Sequence, residues 1–437
     1  MSREMKHSGI EWIGEIPKEW KVARFKFVSE MFTGNSLNEH QKEYYSQYHD
    51  NESSIPYVST KDVERDIERI NYDGEIRIPE SEQGFSIAPK YSVLLCIEGG
   101  SAGKKVGYTN QEVCFVNKLC CINSNQNSRF IYFFILSNAF NEPFAQNIQG
   151  LIGGVSVNSL KYFYITTPPL SEQQKIANYL DKVCGEVDEM IALQEQMIEE
   201  LKAYKQSVIT EAVTKGLNPN VPMRNISIDW IGEIPEHWKV TVLRRFATII
   251  LGKMLQPNAK SDDDTLEQYI CAKDVHFEGI DFSDLKKMYF DKNEKETYQV
   301  QKGDMLVVEG GAGAAGSCVL KTDLPDTYIQ NSIMIVRPKQ GIDIRYIQYF
   351  EFSLVKKGYV DFVCNKATIP HFTKDKLSSM PIPLPPLSEQ QTIASYLDTK
   401  CAEIDALVAI KQAKIEELKE YKKSVIYEYV TGKKEVV

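Results

Sequence analysis

At 437 residues, with 43% hydrophobic and 25% charged residues, the chain has the composition of two to four ordinary globular domains. Its net charge of −9 argues against a uniformly basic surface, and runs such as Phe130 to Leu136 fall well short of the roughly 20 apolar residues of a membrane helix. The opening residues up to Trp12 are polar and charged, without the apolar run of a secretory signal, so the expected compartment is the cytoplasm, with no membrane partner.

The first marked element is Trp12-Ile-Gly-Glu-Ile-Pro17 followed by Trp20-Lys21-Val22, and it recurs as Trp230-Ile-Gly-Glu-Ile-Pro235 followed by Trp238-Lys239-Val240. All four tryptophans lie in these two lead-in segments. Large rings at such a position are expected to pin the segment onto its domain rather than to stack on bases.

About 150 residues of β-rich sequence follow each lead-in. Tyr57-Val-Ser-Thr-Lys-Asp-Val63 pairs with Tyr269-Ile-Cys-Ala-Lys-Asp-Val275, and Ser92-Val-Leu-Leu-Cys-Ile-Glu-Gly-Gly100 pairs with Asp304-Met-Leu-Val-Val-Glu-Gly-Gly311. Apolar, β-branched runs closed by glycine read as strands ending in turns. Val113 to Ile122 and Tyr328 to Val336 are each expected to add one further strand, and Arg129 and Arg345 each to open a helix. The nine cysteines have no CxxC spacing; Cys114, Cys120 and Cys121 are expected as buried free thiols in strands, and no metal site is expected.

Residues 168–209 and 385–426 agree at 26 of 42 aligned positions, which marks a duplication. Ser171 with Gln174, and Ser388 with Gln391, have capping-box spacing, Glu172 and Glu389 suit a first helical turn, and Gly216 and Gly432 suit a stop. A 4-3 apolar seam runs through Leu180, Cys184, Val187, Ile191, Ile198, Leu201 and Val208, and through Leu397, Cys401, Ile404, Val408, Ile415, Leu418 and Val425. It is interrupted at Gln194 and Lys411, in equivalent positions. Two such seams predict a coiled coil, antiparallel if the chain closes on itself; the competing arrangement packs each helix on its own domain.

The expected fold class is therefore α/β (α+β): two similar β-rich domains joined by two long antiparallel coiled-coil helices in a pseudo-twofold internal repeat. The boundaries are 1–168 and 218–384 for the domains with their lead-ins, 169–217 for the first helix, and 385–437 for the second helix and tail. Offsets between the copies vary from 218 at Trp12 to 211 at Glu98 and 217 at Pro169, so the loops differ while the frame stays in step. Such a chain presents two different loop surfaces on one scaffold.

No catalytic signature is complete. Residues 98–105 lack the first glycine and the final Ser or Thr of a phosphate-binding loop, and neither HExxH, GxSxG nor Asn-Pro-Pro-aromatic occurs. The chain reads as a binding protein. The helices carry charges of −4 (residues 171–216) and −1 (residues 388–433), more than half of the total, which leaves room for a local basic face on the domains.

The duplicated W-I-G-x-I-P-x-x-W lead-in, the divergent domains, and the P-P-L-S-E-Q start of each long helix together resemble the specificity subunit of Type I restriction-modification systems over essentially the whole chain. The resemblance implies two target-recognition domains, near 20–168 and 238–384, each reading one half of a split double-stranded DNA site. It also implies that the helices space the readers and dock two modification (methyltransferase) subunits, with restriction/translocase subunits completing the complex. The chain itself would be non-catalytic and bind no cofactor; S-adenosylmethionine, ATP and Mg would sit on partner subunits. A coiled-coil scaffold or decoy that binds only proteins is the competing reading.

Strand-end loops that pair across the repeat supply the candidate DNA contacts: Ser59, Lys61, Gly100, Ser101, Lys104, Lys105 and Asn117 in the first domain, and Lys253, Lys273, Gly311, Asn331 and Lys366 in the second. Lysines suit phosphates, and Asn117 and Asn331 suit either adenine edges or turns.

Overall fold

The computed structural model describes residues 3–48, 53–65, 69–150, 153–311, 313–364 and 370–436. The chain divides into two compact units, Met1–Glu195 with Gln412–Val437, and Gln196–Lys411. Both divisions fall at the seam interruptions, Gln194 and Lys411.

In the first unit a four-stranded antiparallel sheet has the order Ser29–Thr33, Leu119–Ser124, Val93–Cys96, Val106–Tyr108. A second sheet has the order Arg77–Pro79, Ser54–Val58, Val113–Phe115, Ile87–Ala88, with its two central strands parallel. The run from Val113 to Ile122, expected as one strand, is thus two strands in different sheets, because Asn117 and Lys118 turn the chain between them. The run from Tyr328 to Val336 divides in the same way, into Thr327–Ile329 and Ile333–Pro338.

Why the central strands lack polar alternation follows from their two neighbours. Val93 and Leu95 face a core with Trp20, Phe25 and Phe130, while Leu94 and Cys96 face a second core with Val58, Val113 and Phe115. The second unit repeats the device, with Met305 and Val307 in one core and Leu306 and Val308 in another. A strand buried on both faces must be apolar throughout. Its sheets have the orders Ala247–Leu251, Ile333–Pro338, Met305–Val308, Ser317–Val319, and Lys286–Phe290, Thr265–Ile270, Thr327–Ile329. Each unit is also closed by a two-stranded antiparallel sheet that joins its start to its end, Lys21–Arg24 with Tyr164–Thr167 and Lys239–Val242 with Pro381–Leu384. Cys114, Cys120 and Cys121 are buried free thiols in strands, and burial pushes Cys114 and Cys121 up to about 12.

The long helices span Leu170–Lys215 and Leu387–Val430. They begin one residue before the expected caps, so Ser171 and Ser388 lie inside the first turn and the capping boxes do not form. The side-chain amides of Gln173 and Gln390 instead donate back to the carbonyls of Pro168 and Pro385, both at 2.9 Å. Glu172 and Glu389 do occupy the first turns, and Gly216 and Gly432 stop the helices in the left-handed region at φ 73° and 74°.

In the first unit, Lys422 Nζ meets the Asp188 carboxylate at 2.7 Å and the Tyr179 and Tyr429 rings lie 4.5 Å apart. In the second, Lys205 Nζ reaches Asp405 at 2.7 Å, and a Cβ on Gly216 would lie 3.2 Å from Glu389. Rising numbers on one helix meet falling numbers on the other, so the pairing is antiparallel within each unit. Leu180, Cys184, Val187, Ile198, Leu397, Cys401, Ile404, Ile415, Leu418 and Val425 are buried, and Ile191, Leu201, Val208 and Val408 are half-buried. Replacing Leu418, 8% exposed, by Asp would put a carboxylate in the seam and should cost about 3 kcal/mol, read as a lower thermal midpoint. Leu407→Asp on the same helix, at 46% exposure, should leave the midpoint unchanged; equal effects would show that the seam does not hold the helices.

The tryptophans behave as clamps. Trp20 and Trp238 are 0% and 1% exposed, and the Trp20 indole N–H donates to Glu172 at 2.9 Å. Arg3 also binds Glu172, at 2.5 and 3.0 Å, and lies over the Trp20 ring. Gly432 lies against Pro17 and Trp20, too close for any Cβ, so the glycine that ends the second helix also seats it on the first lead-in.

Candidate nucleic-acid interface

In the first unit the strand-end loops meet on one rim. Asp62, buried, accepts from the Ser59 amide at 2.8 Å and the Ser59 hydroxyl at 2.6 Å, closing a turn that leaves Lys61 exposed. The loop over residues 98–105 is tied beside it: Lys105 Nζ donates to the Thr60 carbonyl at 2.7 Å, and Arg65 forms a β-bridge with Lys105. Gly103, at φ 73°, has the Phe144 ring where a Cβ would sit, so this loop can only be closed by glycine. Gly100 faces open space, Ser101 is half-buried, and Lys104 is exposed with Nζ 3.4 Å from the Gly100 carbonyl. The turn carrying Asn117 joins the rim where the Ile97 amide bonds the Lys118 carbonyl at 3.0 Å.

All seven first-domain candidates therefore come together, and two further cations, Arg65 and Lys118, come with them. Lys118 directly follows Asn117 at the break in an apolar run, a signal available in the sequence. Arg65 could not be placed there, because its neighbour Lys105 is 40 positions away. Among the described residues, the acids beside these loops are Asp62, whose carboxylate accepts from Ser59, Glu64, which pairs with Arg69 at 3.6 Å, and Glu98.

The second unit uses the same turn, with buried Asp274 accepting from the Cys271 amide at 2.9 Å, but its cations are spent differently. Lys253 is buried at 6% exposure, donates to the Tyr289 carbonyl at 2.8 Å, pairs with Glu294 and lies 5.0 Å from the Phe290 ring. In place of the expected surface contact it is an internal tie. Lys273 remains exposed but pairs with Asp284 at 3.0 Å and Asp274 at 3.5 Å. Asn331 takes the turn role: its amide donates to the Lys253 carbonyl at 2.8 Å and its side chain accepts from Gln330 at 2.6 Å. Gly311, at φ 93°, faces open space beside His371, whose segment bridges Gly310. Lys366 lies outside the described residues.

Among the described residues no group of three or more His, Cys, Asp and Glu is placed to hold a metal ion, and no helix is long and apolar enough to cross a membrane. The features that remain are two divergent loop rims on one duplicated frame. Residues 17–203 and 235–420 each match the family described as the Type I restriction modification DNA specificity domain, and the chain belongs to that family. It is 24% identical to the type I restriction enzyme MjaVIII specificity subunit of Methanocaldococcus jannaschii, over 96% of this chain and 93% of that protein. To the EcoBI specificity subunit of Escherichia coli it is 22% identical, over 93% and 84%. Among solved structures, the HsdS subunit from Thermoanaerobacter tengcongensis shares the fold with a TM-score of 0.53 at 17% identity, covering 95% of this chain and 98% of that one. A chain from a type I R-M system, solved in work on complex assembly and conformational transition, aligns with a TM-score of 0.71 at 17% identity and the same coverage.

Proposed function

We propose that this chain is the DNA-reading subunit of a type I restriction-modification complex, with residues 20–168 and 238–384 each reading one half of a split double-stranded site. The helices over 169–217 and 385–437 hold the two readers at a set spacing and dock two modification subunits, to which restriction/translocase subunits are added. The chain is non-catalytic in this reading; S-adenosylmethionine, ATP and Mg belong to the partners. The observation that carries it is the first unit's rim, where Lys61, Lys104, Lys105 and Lys118 surround an open glycine loop at the ends of buried strands. Cations of this kind hold phosphates while neighbouring polar side chains and backbone reach base edges.

A gel-shift titration of the chain assembled with its methyltransferase subunits tests this. Affinity for duplex DNA should fall steeply with salt, and Lys61→Ala with Lys104→Ala should make the slope of log K against log salt shallower by about 1.8, two phosphate contacts' worth. A scaffold or decoy that binds only proteins would shift no duplex at any salt concentration.

A further inference from the structure

Each unit carries a second cationic patch at the other end of the strand that leads to its rim. In the first unit the short helical turn Phe25–Phe27 precedes the strand Ser29–Thr33, and in the second Leu243–Arg245 precedes Ala247–Leu251. Five residues of strand put these turns roughly 17 Å from the rim end. Lys26 Nζ lies 4.4 Å from the Tyr162 ring and 5.0 Å from Phe27, and the Arg24 guanidinium lies 5.1 Å from Tyr162. Phe27 is 67% exposed and Tyr162 53%, although neither ring is needed by the core. The repeat-equivalent positions of Lys26 and Phe27 are Arg244 and Arg245, both exposed, and Lys339 is held beside them by its backbone N–H, which donates to the Phe246 carbonyl at 2.9 Å. Among the described residues, none of Arg24, Lys26, Arg244 and Arg245 has an ion-pair partner, whereas Lys253 and Lys273 at the second rim do.

We infer that these turns are a second nucleic-acid contact in each domain, gripping the phosphate backbone of duplex DNA outside the bases that are read. The inference rests on the DNA-reading function proposed above. Cations without an ion-pair partner ask for an anionic ligand, and the phosphates of duplex DNA supply a closely spaced row of them. The rims differ between the copies, as surfaces reading different sequences must. The turns keep their positive charge while the surrounding residues change, which fits a ligand that is the same at both. A phosphate backbone is that ligand, and contacts to it position without specifying.

The test uses the complete complex, with a duplex carrying the sequence it methylates and a scrambled duplex of equal length. Arg244→Ala with Arg245→Ala should make the salt slope shallower by about 1.8. At any one salt concentration both duplexes should be bound more weakly by the same factor, so that the ratio between them is unchanged. Lys26→Ala should act likewise with about half the change in slope. An unaltered slope in variants whose wild-type complex still prefers its own duplex would overturn the second contact while leaving the reading function intact. A changed ratio would overturn it too, by making the turns readers. Loss of the methyltransferase subunits on gel filtration would overturn it in favour of protein docking. A wild-type complex with no preference between the duplexes would overturn the reading function itself.

Discussion

Exchanging residues 20–168 for the corresponding domain of another specificity subunit should change one half of the methylated sequence and leave the other half as it was. The structural ground is that the first unit's rim stands on cores containing Leu94, Val113 and Phe115 and the second unit's on cores containing Leu306, Ile329 and Ile335, with no residue in common. Specific sites are typically favoured over random DNA by a factor of about 10³ to 10⁷, so losing one half-site is a large effect that mapping of methylated adenines across a genome would register directly. The choice of junction matters. Thr166 Oγ1, buried, donates to the Val430 carbonyl at 2.6 Å, so a chimera that keeps the host's helices must keep a hydroxyl at this position. A change in both halves of the methylated sequence would end the modular account.

Replacing Glu351 by glutamine should stabilise the second unit, and more so as the pH rises. Glu351 is 1% exposed on the helix Ile344–Lys356; one carboxyl oxygen accepts from the Ser317 hydroxyl at 2.6 Å and the other has no partner. Burial without a compensating cation raises its pKa from 4.5 to about 8. A folded pKa above the unfolded one means that the carboxyl's contribution is fully present below about pH 4.5 and is lost progressively as the pH climbs through 8. The loss reaches up to roughly 5 kcal/mol above pH 8, since each pH unit between the unfolded and folded values is worth about 1.4 kcal/mol. Glutamine can still accept from Ser317 and has no charge to bury, so the variant's unfolding midpoint should stay level between pH 6 and 9 where that of the parent falls. Parallel pH profiles for the two proteins would show that Glu351 is not the group responsible.

The frame is legible in the sequence because its signals are local and periodic. The seam, the glycine stops and the paired lead-ins each follow from spacing alone, and Trp20 and Trp238 are buried as clamps must be. The features that escape a sequence reading depend on partners far along the chain. Ser171 and Gln174 have capping-box spacing, but Pro168 and Pro169 start the helix early, and the amide that turns back belongs to Gln173. The apolar run from Val113 to Ile122 looks continuous because both strands are buried, and only the two polar residues at 117 and 118 mark the crossing between sheets. Lys253 sits where spacing predicts a rim cation, yet Glu294, 41 positions later, draws it inward. At the first rim a distant partner does no such harm, since the tie from Lys105 ends on Thr60, which Ser59 and Lys61 flank.

The division of the chain also has a consequence for how it is made. The second unit, Gln196–Lys411, is one continuous stretch and can close as soon as it has left the ribosome. The first unit waits: its core includes Val425, Ile426 and Val430, and its lead-in is met by Lys433, whose Nζ reaches the Ile13 carbonyl at 2.8 Å. The domain synthesised first is thus the one finished last, and during that interval it is Trp20 and its neighbours that lack a wall. A frameshift near residue 412 would strike the amino-terminal reader and spare the one it directly follows.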